Sequence, residues 1–405
     1  MLERAEVVII GGGIMGTSLA FALAERGVRD VLVLEKRTVA SGASGKTGAL
    51  LRQHYSNRPE ATLVHLSLQT FKHWGEIVGG DCGYDPCGLI ATVATNGPDD
   101  PNIARMRANV ALQNSVGIRS EVLPAEELRR LQPFARFDDI AVGAYESESG
   151  YVDSIAATRG MMDAAIGLGT RLREGVTVTG LRTVGGRIDG VETSAGPIGA
   201  SVVVCAAGAW AAPLLATAEV TVPLDPIRVQ VAIVNRPDAM PRGGTMAYVD
   251  TAANIFCRNW GPNRTLVGIG GGEGHQSVDP DAYDERVDPT FAPLALSNLA
   301  RRMPAMAGAT PLGGHAGLYD MTPDAHPIIG PAPGVESLHL CVGFSGAGFK
   351  KGPAIGQALA EQIIDGRARL ADLAPFRLER FADDGWQKPW SENEYVLSSD
   401  FGHKF

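Results

Sequence analysis

Gly11, Gly13 and Gly16 stand in GxGxxG spacing within GGGIMG, directly behind the β-branched run from Glu6 to Ile10. Glycine at the first position permits a tight turn, at the second lets backbone approach a pyrophosphate, and at the third lets helix and strand pack closely. The helix opened by Ile14 and Met15 would face the phosphates with its N–H groups and partial positive charge. Glu35, about 20 residues on, is placed to accept hydrogen bonds from ribose hydroxyls and would repel a 2′-phosphate, which disfavours NADP. Lys36 and Arg37 beside it join the expected cofactor-binding set. The same spacing also builds ligand-free turns, but a strand before it and a helix after it favour a nucleotide. On these residues NAD and FAD are both open.

The elements that must hold this turn are legible around it. Apolar residues recur at Met15, Leu19, Ala22 and Leu23 with helical spacing, Gly27 lies where a C-cap belongs, and Val31–Leu34 reads as a second buried strand. The opening is thus one βαβ unit. A small-residue loop from Ser41 to Ala49 and a helical pattern from Pro59 to Trp74 follow. Ile155–Leu168 reads as a helix, Val202–Cys205 as a buried strand ending at AAGAW, and Ser337–Phe344 as a strand running into GFSGAGFKKGPAIG and a helix through Ile364. Between these lie mixed stretches with strands such as Val229–Val234 and Thr265–Ile269. The reading is an α/β chain. A Rossmann-like domain is built from residues 1–80, 145–220 and 312–375, and a mixed-sheet, α+β substrate domain from 81–144 and 221–311 is interleaved with it. Residues 376–405 form a C-terminal tail, whose polar, aromatic part from Trp386 to Phe405 is expected to cover a subunit surface.

The ordered segments GGGIMG, ASGKTGALLRQHYS, VVVCAAGAW, LYDMTPDAHPIIGP and GFSGAGFKKGPAIG, from about Val7 to Gly356, resemble the sarcosine oxidase/glycine oxidase group of D-amino acid oxidase-like flavoproteins. The resemblance implies FAD and the oxidation of a carboxylate-bearing amine (N-methyl, cyclic or primary) to an imine by hydride transfer to flavin N5. It adds Ser44, Gly45, Lys46, Thr47, Ala49, Leu50, Leu51, Val176, Ala207, Gly208 and Trp210 to the cofactor set. Gly346, Ala347, Gly348, Phe349 and Lys350 would lie along the isoalloxazine edge, with the helix from Gly352 aimed at the flavin N1/C2 carbonyl. Arg52 and Lys350 would clamp the substrate carboxylate, as a guanidinium fork and an ammonium do. Tyr319 would stand near that carboxylate, and His54 would take a minor part. Lys351 is expected as a solvated cation, and Asp324 and His326 as parts of a rigid turn.

Where some family members tether flavin, this chain has Gly317 and, in the early loop, Lys46 or Thr47, so FAD is expected to be non-covalent. The stretch Thr265–Gly272 lacks the Lys that monomeric sarcosine oxidases place over the flavin, and His275 is the one substitute for a nearby family histidine. That leaves three outcomes open: an oxidase, a dehydrogenase with another acceptor, or a flavin-binding subunit of a hetero-oligomer.

A net charge of −9 argues against nucleic-acid partners. Five cysteines form no disulfide framework, and Cys82 and Cys87 lack the second pair a metal site would need. The early apolar run is too short for a membrane span or a signal peptide, so a cytoplasmic protein is expected, with a homo-oligomer or partner subunit possible.

Overall fold

The computed structural model describes residues 3–95, 97–242, 244–270, 277–390 and 394–395. The opening unit forms as read: β1 (Glu3–Ile10), α1 (Ile14–Glu25) and β2 (Val31–Glu35). β1 and β2 pair in parallel, with Ile10 opposite Leu34. Every residue of α1 from Ile14 to Ala24 is buried, because helices Ser154–Gly167 and Gly352–Asp365 pack on it beside the sheet. Gly27, just past the end of α1, takes φ of +89°, a conformation glycine adopts without strain.

The first sheet runs Ile328–Pro331, Leu338–Val342, Ile198–Cys205, β1, β2, Arg171–Glu174, all parallel except its first strand. A hairpin of Val178–Val184 and Arg187–Thr193 attaches to Ile198–Cys205. Strands covered on both faces should read as continuous apolar runs, and VVII, VLVL and VVVC do. Its strands come from three separated stretches of chain.

The second sheet has the order Thr310–Met321, Asp225–Asn235, Arg264–Ile269, Ile255–Asn259, Ala247–Asp250, Leu89–Thr92, Val142–Glu146, Ser120–Pro124. It is antiparallel except where Ala247–Asp250 meets Leu89–Thr92. Two of the expected boundaries cut through its strands. Val142–Glu146 straddles 144/145, and Thr310–Met321, split at 311/312, pairs along the whole of Asp225–Asn235. Gly313, Gly314 and Gly317 interrupt the alternation by which that long strand would be recognised. Gly314 is required there: a Cβ would stand 2.0 Å from the Val231 carbonyl oxygen.

α2 (Arg58–Lys72) begins at Asn57, whose side chain accepts from the Glu60 N–H at 3.0 Å. The start of the tail packs on its own chain. Trp390 is buried, its ring 3.9 Å from that of His326 and edge-on to Trp386, and Tyr395 stacks on His54. Residues 391–393 and 396–405 of that tail, and His275, lie outside the described residues. No described helix is long and apolar enough to cross a membrane.

Candidate active site

A cleft of about 450 Å³ opens at the carboxyl ends of β1, β2 and Ile198–Cys205. Its lining includes Glu35, Lys36, Arg37 and Val176, then Gly11, Gly13, Ile14, Met15, Ser44 and Thr47, then Ala207, Gly208 and Trp210, and also Tyr319, Gly346, Gly348 and Phe349. Gly11 takes φ of +113°, and a Cβ there would meet the Ala206 carbonyl at 2.4 Å; one on Gly16 would meet the Gly11 carbonyl at 2.0 Å. Gly16 therefore packs the turn instead of lining the cleft. Gly45 does likewise, its Cβ position lying 2.1 Å from the Ala40 oxygen.

Glu35 sits where a ribose would be read, and its two oxygens accept from Gly12 N and Arg37 N, each at 2.8 Å. Ser44 Oγ accepts from Ile14 N at 2.9 Å, at the head of α1. Segment 281–285, next to the second sheet, closes over this end. Asp281 pairs with Lys36 and accepts from Trp210 Nε1 at 2.9 Å; Glu285 pairs with Arg37 at 3.0 Å and Lys46 at 2.8 Å; Lys46 also reaches the Tyr283 hydroxyl at 2.6 Å. Lys46 thus lies outside the main cleft, in the wall of a smaller cavity of about 30 Å³ shared with Thr47, Gly317 and Tyr319. Gly317 faces it, with a Cβ position 3.2 Å from Lys46 Cβ. An elongated dinucleotide fits this cleft, because Glu35 and the glycines of both the first and the last glycine-rich segments line one cavity. Ala49, Leu50, Leu51, Ala347 and Lys350 are not in its lining.

The helix from Gly352 begins just past Phe349 of that lining, and its glycines also serve packing. Cβ atoms on Gly352 and Gly356 would stand 2.7 Å from Ile14 and 2.6 Å from the Ser18 backbone. The Ala354 N–H is already taken by Ser67 Oγ at 3.0 Å.

Arg52 is buried, donates to the His54 carbonyl and lies 4.3 Å over the Tyr55 ring. Lys350 is buried too, its ammonium 3.4 Å from the Ala347 carbonyl. Burial pushes the Tyr319 phenol up to about 12, so it stays protonated, and its ring fills the space a Gly346 side chain would occupy. His54 is held at both nitrogens, by the Tyr395 hydroxyl at 2.6 Å and Gln113 at 3.1 Å. Burial, then the Arg52 charge, lower it to about 3, so the imidazole is neutral and committed to these partners.

Lys351 is not solvated: it is wholly buried and paired with Glu60, which also lies 2.9 Å from His326 Nδ1. Neither His326 ring nitrogen makes an aligned hydrogen bond. Asp324 and His326 form the expected rigid turn, pinned by the Arg380 fork on Asp324 at 2.9 and 3.0 Å and on the His326 carbonyl at 2.8 Å. Sequence reading missed Asp320, which takes the Gly343 N–H at 2.7 Å, and Glu146, buried behind Arg52. Both stand at strand ends with no motif around them. The strand Arg264–Ile269 contains no lysine, and all five cysteines are free.

A parallel dinucleotide sheet whose cleft is closed from the side of a second, mostly antiparallel sheet is the architecture of a flavin-dependent oxidoreductase. Residues 6–362 match DAO, the FAD dependent oxidoreductase family, and the chain belongs to it. It is 30% identical over 372 residues to the mitochondrial pyruvate dehydrogenase phosphatase regulatory subunit of Mus musculus, covering 90% of this chain and 42% of that protein. It is 28% identical over 396 residues to the 4-methylaminobutanoate oxidase (formaldehyde-forming) of Paenarthrobacter nicotinovorans, covering 94% and 46%. The chain therefore spans less than half the length of these two curated relatives. The crystal structure of L-proline dehydrogenase from P. horikoshii superposes with a TM-score of 0.85 at 26% identity, over 94% of this chain and 99% of that one.

Proposed function

We propose that this chain oxidises an amino acid-type amine at the carbon next to nitrogen, with FAD held non-covalently in the cleft between Glu35 and Gly346. The similarity to a 4-methylaminobutanoate oxidase, an L-proline dehydrogenase and a glycine oxidase supports an N-methyl, cyclic or primary amine as the substrate class. Bound FAD supplies the acceptor of two electrons and a proton, as hydride. The first sheet and its helices are its domain, and the second sheet is the substrate domain.

The observation that carries the reading is the pair of buried cations, Arg52 and Lys350, on segments that run on from the cleft-lining Thr47 and Phe349. Burial leaves them little water to displace, so a substrate carboxylate meets them at close to full electrostatic strength. Tyr319, protonated at all working pH values, offers a neutral donor in the same region. His54 orients the Arg52 segment instead of moving protons, so the amine must arrive neutral or lose its proton to water. The product imine is released to hydrolysis, or kept intact in a ring.

The lysine-free strand Arg264–Ile269 favours a dehydrogenase with a non-oxygen acceptor over a fast oxidase, since a cation there would stabilise developing superoxide. The test is anaerobic flavin reduction by sarcosine, proline and glycine. Arg52→Ala and Lys350→Ala should each lower the second-order rate constant by about 10²-fold or more with carboxylated amines, as loss of a charged hydrogen bond implies. Unchanged rates in both variants would end the clamp reading, and flavin that stays with acid-precipitated protein would end the non-covalent one.

A further inference from the structure

Asp320 lies near the end of the strand Thr310–Met321 of the second sheet, and it also lines the cleft at the first. Its Oδ2 accepts from the Gly343 N–H at 2.7 Å, and its carbonyl accepts from Ser345 N at 3.2 Å. Two residues on, Thr322 N donates to Ser345 Oγ at 3.0 Å, and the two hydroxyls stand 3.2 Å apart. These bonds hold a turn of unusual backbone, in which Gly343, Ser345 and Gly346 take φ of +74°, +50° and +78°. That conformation is disfavoured for serine, and the bonds from the strand end offset its cost.

The carboxylate keeps acceptor capacity beyond the turn. Asp320 is 9% exposed, and burial raises its carboxyl, opposed by the N–H groups of Gly343, Phe344, Ser345 and Asp320 itself. An ionised aspartate offers about four acceptor sites, and here one aligned hydrogen bond, from Gly343, is made among the described residues. The other buried acids have a cation or a hydroxyl: Glu60 has Lys351, Asp250 has Arg302, Asp324 has Arg380, Glu361 has Arg26, and Glu146 has Ser149. Among the described residues Asp320 has neither, and of these six it is the one that lines the cleft. A buried acceptor facing a filled cleft is costly unless the occupant meets it with a donor. On its flavin half FAD carries such donors in the ribityl hydroxyls and the ring N3–H, whereas its phosphates and flavin carbonyls would be repelled.

We propose, on the reading that FAD fills this cleft, that Asp320 is a further cofactor-binding residue: its carboxylate accepts a hydrogen bond from an O–H or N–H of the flavin half while Oδ2 holds the glycine turn. One side chain then joins a strand of the second sheet, the C-terminal glycine turn and the cofactor. Its negative charge disfavours the electron density that flavin gains on reduction, so Asp320 also lowers the midpoint potential.

The measurement is titration of the flavin-stripped, full-length chain with FAD, and with ADP, which shares the adenosine and pyrophosphate but has no flavin half. Asp320→Asn keeps an oxygen for the Gly343 N–H and replaces the remaining acceptor with an amide donor. It should raise Kd for FAD about tenfold or more, as loss of a charged hydrogen bond implies, and leave Kd for ADP unchanged. In the holoprotein it should raise the two-electron midpoint potential, by about 30 mV for each tenfold by which reduced FAD is favoured over oxidised. N3-methylated FAD identifies the donor: equal Kd in wild type and Asp320→Asn assigns it to N3–H, and a preserved difference assigns it to a ribityl hydroxyl. Should Asp320→Asn not fold, the wild type decides. N3-methylated FAD, or an analogue lacking one ribityl hydroxyl, should bind about tenfold or more weakly, and equal affinity for all of them overturns the proposal. FAD affinity and potential both unchanged in Asp320→Asn overturn it, as does an equal loss of ADP affinity, which would mark general damage to the cleft. Glu35→Ala separates the two readings, since it should weaken FAD and ADP together through the ribose they share. If it changes neither, FAD does not lie in this cleft, and the role of Asp320 falls with that reading.

Discussion

Lys351 and Lys350 are neighbours with different surroundings: Lys351 pairs with Glu60, whereas the Lys350 ammonium lies 3.4 Å from the Ala347 carbonyl. Burial alone would raise the Glu60 carboxyl, but the Lys351 and His326 charges and the His326 and Asn57 side chains overcome it and hold Glu60 well below the usual range. Removing one member of such a pair strands the other, so Lys351→Met should cost about 3–5 kcal/mol in chemical denaturation. The double variant Lys351→Met, Glu60→Gln should lose clearly less than the sum of the singles. Because the folded-state value is depressed, the carboxylate's contribution is complete above the ordinary carboxyl pKa and is lost as pH falls through the lower folded one. Equal denaturation midpoints for wild type and Lys351→Met would contradict this. The sequence KKGP offered no means of telling these two lysines apart, since Glu60 lies 291 positions away.

Segment 281–285 and the end of β2 belong to different parts of the chain, yet they meet over the nucleotide end of the cleft. Lys36 lies 4.2 Å from the Trp210 ring as well as on Asp281, and Arg37 and Lys46 share Glu285. These pairs are partly exposed, and each is worth about 0–1 kcal/mol, so as a strap over FAD they should retard its loss modestly. The double variant Asp281→Asn, Glu285→Gln should release flavin about two- to tenfold faster in a dilution assay at low salt, converging with wild type near 1 M salt as screening removes the advantage. Identical release rates at low salt would rule the strap out. The βαβ opening was readable because its cues are local: glycine spacing, helical periodicity and a C-cap glycine all fall within one short stretch. The strap was not, because its residues read as an ordinary charged loop until the chain folds.

For the molecule as a whole, the described start of the tail anchors on the turn at Asp324 and His326. Trp390 is buried against His326, Phe376 and Trp386, on the turn that Arg380 pins through Asp324. Trp390→Ala should cost about 3–5 kcal/mol, read as a lower denaturation midpoint, and should expose the tail to protease before the rest of the chain. A tail equally resistant in both proteins would mean that Trp390 does not anchor it. GxGxxG, the apolar strands and the ordered glycine segments carried the α/β class and the sheet assembled from three stretches of chain, because each depends on backbone approach or burial within a few residues. The assignment of Thr310–Met321 to the second sheet, the burial of Lys351, the two-sided hold on His54 and the placing of Glu146 behind Arg52 emerged only on folding. Each depends on which distant group lies within a few ångströms, and hydrogen bonding, desolvation and charge act over that distance, however far apart the residues lie along the chain.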